Sequence, residues 1–211
     1  MSIPQPRTRT RLAPAERAAQ IRAAAAALAR EQGLAALTLR AIAQRAGVAP
    51  GLVAHYATSM DELVAAVFVE LTGAELGDVR TRVEASPGAA AQLATLFQTV
   101  LGHDHEDITL VWVDAWSLGR GNAALAVAID EQMDAWRAFL AAIVRDGRGA
   151  GLFTVDDPDA AAWQILAMID GVSAHALVAG ADPAPFAARL AQACEALVGA
   201  APGTVARPTG R

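Results

Sequence analysis

The chain of 211 residues contains no lysine and a single cysteine, Cys194. One cysteine excludes an intrachain disulfide, and its alanine-rich surroundings predict a buried filler rather than a reactive thiol. Aromatic residues make up only 5% of the chain, so most helix contacts must depend on alanine and aliphatic side chains. The sequence also lacks an uncharged apolar run of about eighteen residues, which predicts no membrane-spanning segment. Residues 1–11 lack the apolar core of a signal peptide, so we expect a cytoplasmic protein with no membrane partner.

All seventeen basic residues are arginine, and they are distributed unevenly. Residues 1–56 carry eight arginines against Glu16 and Glu31, a net charge of +6, whereas the rest carries nine arginines against twenty acidic residues. The acidic total of −5 would argue against a nucleic-acid partner, but a local basic region is what DNA binding requires. The asymmetry predicts a basic DNA-binding module joined to an acidic regulatory domain.

The most informative stretch is residues 38–63, TLRAIAQRAGVAPGLVAHYATSMDEL. Leu39 and Ile42 recur at helical spacing and give the first helix an apolar face. Gly47 follows where a helix ends in a left-handed residue, and Pro50 suits the first turn of the next helix, where no N–H partner is needed. Two short helices joined by a tight turn predict a helix-turn-helix, whose second helix enters the DNA major groove.

The same stretch resembles the DNA-binding domain of the TetR family of bacterial one-component repressors. The matching residues are Thr38, Leu39, Ile42, Ala43, Ala46, Gly47, Val48, Gly51, His55, Tyr56, Ser59 and Leu63. The sequence departs from the family at Ala54, where an aromatic residue is usual, at Ala57, where phenylalanine is usual, and at Met60, where lysine is usual. Because that aromatic residue and that lysine typically touch phosphates in the family, the alternative is a sensor or interaction protein of this fold with weakened DNA binding.

Candidate DNA-binding residues lie on both helices of the motif and on the turn between them. Arg40 and Arg45 are candidates for phosphate contacts, and Thr38 is expected to cap its helix or contact a phosphate. The second helix carries no arginine that could read guanine, so we expect readout through apolar, backbone and shape contacts. For His55, the alternative to DNA contact is an ordinary, partly exposed surface position. The remaining candidates are Ala49, Pro50, Gly51, Leu52, His55 and Tyr56.

Helical periodicity along the chain predicts an all-α protein with two domains. Together with this pattern, the family resemblance implies a three-helix helix-turn-helix domain over residues 13–58 and a helical ligand-binding and dimerisation domain over residues 59–199. Residues 1–12 are expected to be a flexible arm, either a solvated tail or a contact to DNA. Residues 200–211 are expected to be a disordered tail. The basic residues of the arm are Arg7, Arg9 and Arg11.

The C-terminal half, from Trp112 through Gly151-Leu152-Phe153 to Asp170-Gly171, resembles the regulatory domain of the subgroup that includes the choline-responsive repressor of betaine synthesis. The resemblance implies a homodimer in which the last two helices form a four-helix interface. Such a dimer would place two recognition helices about one DNA turn apart, roughly 34–36 Å. Small residues predicted to allow close approach of these helices are Ala161, Ala162, Ala174, Ala187, Ala188 and Ala191.

The four tryptophans are a large share of the ten aromatic residues of the chain. If they converge, they would line a pocket between helices, which is the usual ligand site of helical proteins. Tryptophan faces also bind cations, and Asp114 or Asp170 could add a counter-charge for an ammonium ligand. For each tryptophan and for His175, the alternative to ligand binding is packing in the hydrophobic core. The candidate ligand-binding residues are Trp112, Trp116, Trp136, Trp163, Asp170 and His175.

The loop that holds His103, His105, Glu106 and Asp107 has residue types that bind metals, but no second cluster supplies the missing ligands. A solvated loop is therefore favoured over a zinc site. No nucleophile–base pair or phosphate-binding glycine loop appears, so we expect neither an enzyme nor a cofactor. The sequence predicts a homodimeric repressor that a small molecule releases from operator DNA, with activation as an alternative, and a long helix after Ser59 that transmits the signal.

Overall fold

The computed structural model describes residues 13–205. Within this part of the chain, nine α-helices and three short 3-10 turns are present and strands are absent, so the predicted all-α fold class is confirmed. The arginines predicted to form an arm lie outside the described residues. The helices are α1 (Pro14–Gln32), α2 (Leu39–Ala46), α3 (Pro50–Tyr56), α4 (Met60–Glu84), α5 (Gly88–Val100), α6 (Glu106–Leu118), α7 (Ala123–Gly149), α8 (Pro158–Ala179) and α9 (Ala187–Val198).

Local sequence explains where several of these helices begin and end. Thr38, Ser59 and Asn122 cap α2, α4 and α7, because the side-chain oxygen of each accepts a backbone N–H three residues later at 2.9–3.1 Å. Gly47 ends α2 with φ of 66° and ψ of 36°, the left-handed conformation that its place in the sequence predicts. The tight turn that follows brings α3 against α2 and completes the helix-turn-helix.

The helices pack around two hydrophobic cores. The N-terminal core joins α1, α2 and α3 to the first half of α4, to α6 and to the start of α7, and Ile42, Phe68 and Val111 are fully buried in it. The C-terminal core joins the second half of α4 to α5, the rest of α7, α8 and α9 around Phe97 and Leu140. The core that begins in the helix-turn-helix therefore continues well beyond residue 58.

The chain after α9 packs onto the C-terminal core as far as residue 205, which corrects the prediction of a disordered tail from residue 200. Val205 is fully buried. The Glu195 carboxylate accepts the N–H of Gly203 at 2.9 Å and the N–H of Val205 at 2.7 Å. One apolar side chain among small residues gives no periodic signal, so the sequence did not reveal this anchor.

Cys194 lies in the C-terminal core and is fully buried. Burial, with a contribution from the charge of Glu195, raises the pKa of its thiol to about 12. Because the thiolate is the reactive form of cysteine, this side chain acts as a small apolar residue near neutral pH. The prediction of a buried filler is confirmed.

Candidate DNA interface and effector cavity

The outer face of α3 is open to solvent, as a helix that enters a DNA groove requires. Val53 is fully buried in the N-terminal core and fixes the rotation of α3 about its axis. The predicted DNA-binding residues that are exposed are Thr38, Arg40, Arg45, Ala49, Pro50, Gly51 and His55. Leu52 and Tyr56 are half-buried, and the Tyr56 ring lies edge-on to the ring of His55 with the centroids 5.2 Å apart. The exposed face is small and carries little charge of its own.

The two arginines predicted to meet phosphates differ in their surroundings. Arg45 makes two hydrogen bonds to the carboxylate of Glu31, which ties α2 to α1. These hydrogen bonds lower the pKa of Glu31 and raise the pKa of Arg45. Arg40 is exposed and has no hydrogen bond or ion pair among residues 13–205. The structure therefore leaves Arg40 available to a phosphate and gives Arg45 a role in holding α2.

A small cavity of about 50 Å³, partly open to solvent, lies between α4, α6, α7 and α8. Trp112 and Trp116 of α6 line it with their ring centroids 5.9 Å apart, and Trp136 of α7 lies in the same wall. Asp170 of α8 completes the set of sequence-predicted residues that the structure brings together here. Aromatic and aliphatic side chains with a few polar groups make up its lining, a composition typical of small-molecule sites.

Glu75 of α4 also lines the cavity, and the sequence reasoning missed it. Its side chain is 7% exposed, its Oε1 lies 2.8 Å from Nε2 of His105, and its Oε2 accepts the Nε1–H of Trp112 at 2.9 Å. A signal was present, since Glu75 falls on the apolar stripe that runs through Leu71 and Val79 at helical spacing. A carboxylate on a buried stripe is a polar group that needs partners, and here two side chains donate to it.

Asp170 faces the same cavity but has no hydrogen bond among the described residues. Burial, and to a smaller extent the negative charge of Glu75, raise the pKa of Asp170 to about 7. Among the residues that line the cavity, His105 is the single side chain able to carry positive charge. The cavity therefore holds two carboxyl groups with little compensating charge.

Trp136 contributes a second unsatisfied group to the cavity wall. Its side chain is 4% exposed, and its Nε1–H is buried with no acceptor among residues 13–205. Buried donors without acceptors are uncommon in folded proteins because they lose the hydrogen bond that water would supply. Two residues that line this cavity, Trp136 and Asp170, thus each carry a polar group without a protein partner.

Two of the predicted ligand-binding residues, Trp163 and His175, do not line this cavity. Trp163 is 55% exposed and lies two helical turns before Asp170, about 10 Å along the axis of α8 and beyond the end of the cavity. His175 lies on the opposite side of α8 and lines a groove between α8 and α9. Helical spacing alone does not show how far a cavity extends along a helix.

One side of α6 faces the cavity and another faces the DNA-binding domain. Trp112 lines the cavity, whereas Asp114 Oδ2 accepts the backbone N–H of Ala35 at 2.9 Å. Asp107, at the start of α6, forms an ion pair with Arg30 of α1. Asp114 is therefore a contact to the helix-turn-helix domain and not the counter-charge that the sequence offered as an alternative.

The histidine-rich loop before α6 also contributes to the cavity. His105 lines it and lies against Glu75, and the backbone of residues 103–105 forms a 3-10 turn. Across residues 13–205, no group of three or more histidine, cysteine or acidic side chains is arranged to hold a metal ion. The role that the geometry gives to His105 is contact with the Glu75 carboxylate.

Half of the alanines predicted for the dimer interface are not at the surface. Ala161, Ala162 and Ala191 are 0–4% exposed and belong to the C-terminal core of the protomer itself. Ala188 is exposed, and Ala174 and Ala187 are half-buried. The exposed face of α8 is instead the stripe that contains Ala167 and Gly171. These two residues border the groove that also contains His175.

A helix-turn-helix carried by a second helical domain with an internal cavity defines the class of one-component DNA-binding regulators. Two family models match the chain. The model for bacterial regulatory proteins of the tetR family matches residues 21–67, and the model for the C-terminal part of BetI-type transcriptional repressors matches residues 87–201. The protein therefore belongs to the TetR family of transcriptional regulators, whose members are not enzymes.

Solved structures agree with this assignment. A protein described as a transcriptional regulator from Pseudomonas aeruginosa PAO1 is 27% identical, with a TM-score of 0.71 over 91% of this chain and 93% of that one. A TetR-family regulator from Rhodococcus sp. is 20% identical, with a TM-score of 0.73 over 87% and 99% of the two chains. FadR from Bacillus subtilis, solved in complex with stearoyl-CoA, is 22% identical, with a TM-score of 0.67 over 85% and 97%. No curated protein sequence matches the chain.

Proposed function

We propose that the protein is a homodimeric transcriptional repressor that a small molecule in the cavity releases from operator DNA. The observation that carries this proposal is the position of α6, which lines the cavity through Trp112 and holds the DNA-binding domain through Asp114 and Asp107. A ligand that favours a different position of α6 also favours a different position of α1–α3. Coupling of this kind requires only that the ligand bind the two conformations with different affinity.

The unpaired groups in the cavity support its assignment as the effector site. Asp170 lines the cavity, and its carboxyl group has no protein partner among the described residues. Each unsatisfied buried polar group costs folding free energy of about 1–3 kcal/mol. A ligand that pairs with such groups recovers part of that cost and gains affinity and specificity from it.

The dimer is proposed to form through α8 and α9. Among the described helices, α8 alone is long and apolar enough by length and composition to cross a membrane, and 33% of its most apolar window is buried. Trp163 and Val178 are 55% and 82% exposed on it, and an apolar groove lies between α8 and α9. A second copy that packs on this face would bury it in a four-helix interface. We propose a second copy of this chain as the partner of this face because the family is one of dimeric regulators that act on DNA. For the same reason we propose a cytoplasmic location and no membrane partner.

A long-chain acyl-CoA is a poor fit for this cavity, although FadR from Bacillus subtilis was solved with stearoyl-CoA. Acyl-CoA carries several negative charges. The cavity presents Glu75 and Asp170, and no arginine belongs to its lining. At 22% identity, the likeness to that structure concerns the fold and leaves the ligand to be decided by the residues of this chain.

The direct test is binding of the purified protein to the DNA upstream of its own coding region across a salt series. We expect tight binding to one palindromic site, with an affinity that falls steeply as salt rises because phosphate contacts release counterions. Arg40→Ala should reduce the salt slope by about one and weaken binding to every sequence. Arg145→Ala is the matched control, since Arg145 pairs with Asp159 at the junction of α7 and α8.

Weak binding that is indifferent to sequence would contradict the repressor and favour a sensor of the same fold with weakened DNA binding. The observation that keeps this second candidate is the character of α3, where Ala54 is exposed at a position at which the family usually has an aromatic residue. The salt series separates the two candidates, because a sensor without phosphate contacts shows no steep salt dependence.

A further inference from the structure

We propose that the His105 side chain is a gate between the cavity and a larger polar cleft, and that a ligand enters when this side chain turns aside. This inference rests on the proposed function and concerns access to the same cavity. It draws on the volumes of the two spaces, on the position of His105 between them and on the hydrogen bond that holds its ring.

The cavity as it stands is smaller than the sites that usually hold small molecules. It encloses about 50 Å³, whereas such sites measure roughly 300–1,000 Å³. A polar cleft of about 300 Å³ lies between α4, α5 and the start of α6, and its lining includes Asp78, Arg82 and Gln98. The cavity therefore reaches the size of a ligand site only when it is joined to a neighbouring space.

Two side chains, Glu75 and His105, line both the cavity and the polar cleft. His105 also lines a third space, of about 50 Å³, between the turn before α6 and the end of α8 near Pro183. Among the described residues, it is the one that all three spaces share. The imidazole ring therefore lies where the three spaces meet, and turning it aside joins them.

One hydrogen bond holds this ring in place. Nε2 of His105 lies 2.8 Å from Oε1 of Glu75, whose other carboxylate oxygen accepts the Nε1–H of Trp112 at 2.9 Å. The His105 side chain is 16% exposed and makes no second hydrogen bond within residues 13–205. A single hydrogen bond stabilises an arrangement only modestly, because water replaces the lost partner when the ring turns outward. The closed position is therefore favoured without being locked.

The backbone at His105 is anchored, so the side chain can move by itself. Its N–H donates to the carbonyl oxygen of Gly102 at 3.1 Å, and its carbonyl oxygen accepts the hydroxyl of Thr109 at 2.9 Å. Changes of side-chain rotamer are faster than motions of a whole loop. Access to the cavity then requires rotation of one side chain and no change in the fold.

The polar cleft places the gate beside the contact between α1 and α6. Arg30 of α1 and Asp107 of α6 line this cleft and form the ion pair that joins the two helices. A ligand that extends from the cavity past His105 into the cleft meets this ion pair. Entry through the gate therefore brings a ligand against a side chain of the DNA-binding domain, in addition to its contact with α6.

Quenching of tryptophan fluorescence tests the gate without knowledge of the effector. Every sample carries Trp163→Phe because Trp163 is exposed, and the remaining tryptophans, Trp112, Trp116 and Trp136, all line the cavity. The probes are acrylamide and the bulkier neutral quencher succinimide, with rate constants taken from fluorescence lifetimes. We expect His105→Ala to raise the rate constant for succinimide about threefold, because the open form is a minority of wild-type molecules and the only form of the variant. The increase for acrylamide should be smaller.

Two further variants show whether the effect belongs to the gate. His105→Gln keeps a side chain that can donate to Glu75, so its quenching should stay close to that of the wild type. Gln98→Ala is the matched truncation, since Gln98 is exposed and lines the polar cleft but not the cavity. Its quenching should also stay unchanged. Thermal unfolding followed by circular dichroism checks that each variant folds.

A measurement with His105 in place covers the case in which His105→Ala does not fold. Opening breaks the hydrogen bond to Glu75, so succinimide quenching should rise more steeply with temperature than that of free N-acetyltryptophanamide, which follows solvent viscosity. Equal temperature dependence in the protein and the free compound would mean that the cavity is permanently open, and the gate would be overturned.

Unchanged succinimide quenching in His105→Ala, or an equal increase in Gln98→Ala, would also overturn the inference. Operator titration on the same preparation separates this failure from failure of the proposed function. Specific operator binding by a protein whose cavity shows no gating leaves the repressor standing and removes the gate. Gated quenching in a protein that does not bind DNA supports the gate and removes the repressor.

Discussion

The two cores of this protein differ in how completely their groups are satisfied. At the seam between α6 and the helix-turn-helix, Asp114 accepts the N–H of Ala35 and Asp107 pairs with Arg30. Among the residues that line the cavity beside the C-terminal core, the Asp170 carboxyl group and the Trp136 Nε1–H have no partner in the described part of the chain. The comparison indicates that the contacts at the seam hold two parts of the protein together, whereas the cavity is suited to binding a ligand.

The cores also differ in the parts of the chain that complete them. The helix-turn-helix region is not closed by its own three helices, because α6 and the start of α7 cover it. Trp112 packs against both cores, and its ring meets the Phe68 ring edge-on at 5.0 Å. A change at the cavity wall therefore acts on a side chain that belongs equally to the DNA-binding part.

The largest expected effect comes from the N-terminal core. Phe68 is fully buried, so Phe68→Ala should lower the free energy of unfolding by about 3–5 kcal/mol in denaturant titrations. Val127→Ala is the control, because Val127 is 60% exposed on α7 and its loss should change stability by about 0.5 kcal/mol or less. Similar losses in the two variants would show that α4 does not close the N-terminal core.

The next-largest effect is the pH dependence of stability that Asp170, which has no partner in the cavity, should produce. Because burial raises the pKa of Asp170 to about 7 while an unfolded chain keeps the ordinary acidic value, the folded state holds a proton that the unfolded state has lost. The contribution of this proton to the free energy of unfolding is complete below the pKa that Asp170 has in the unfolded chain. It is lost as pH rises towards 7, by about 1.4 kcal/mol per pH unit.

Measured between pH 5 and 7, the wild type should therefore lose about 2 kcal/mol relative to Asp170→Asn, which cannot titrate. Unfolding in denaturant at each pH gives the difference directly. Parallel stability curves for the two proteins would mean that Asp170 is well solvated and that its side of the cavity is open to water.

A smaller effect is expected at the seam. Asp114→Ala leaves the N–H of Ala35 without its acceptor, so stability should fall by about 1 kcal/mol. The exposed Arg30–Asp107 pair should give a coupling of about 0.2–1 kcal/mol in a double-mutant cycle. Operator binding should become less responsive to cavity ligands in Asp114→Ala than in Asp130→Ala, which has the same change at an exposed site. Equal responsiveness would exclude Asp114 from the coupling.

The smallest effect on stability is expected in α4, the long helix that connects the two cores. Gly73 is exposed, and a Cβ at this position would meet no atom within 4 Å, so Gly73→Ala should stabilise α4 by up to about 1 kcal/mol. We predict that Gly73→Ala changes the response of operator binding to ligand more than it changes operator affinity in the absence of ligand. Gly149→Ala, another glycine with open space at the end of α7, is the control, and unchanged induction in Gly73→Ala would count against transmission through α4.

The contrast between the two regions also explains what the sequence could predict. The helix-turn-helix is specified by local signals such as the cap at Thr38 and the left-handed Gly47, so its position could be predicted closely. The cavity is formed by four helices that are distant in sequence, and Glu75 was missed because its partners are 30 and 37 residues away. Trp163 has a helical phase close to that of Asp170, but no sequence pattern marks where a cavity ends.

The central claim is that α6 forms one cooperative unit with the helix-turn-helix, and native-state hydrogen exchange in increasing denaturant tests it most directly. If the claim holds, backbone amides of α2 and α6 will converge on one opening free energy, distinct from that of α5 and α9. The contrary result is opening of α1–α3 at low denaturant while amides of α6 exchange together with those of α8 and α9. That result would separate the cavity from the DNA-binding part and remove the route by which a ligand acts on the operator.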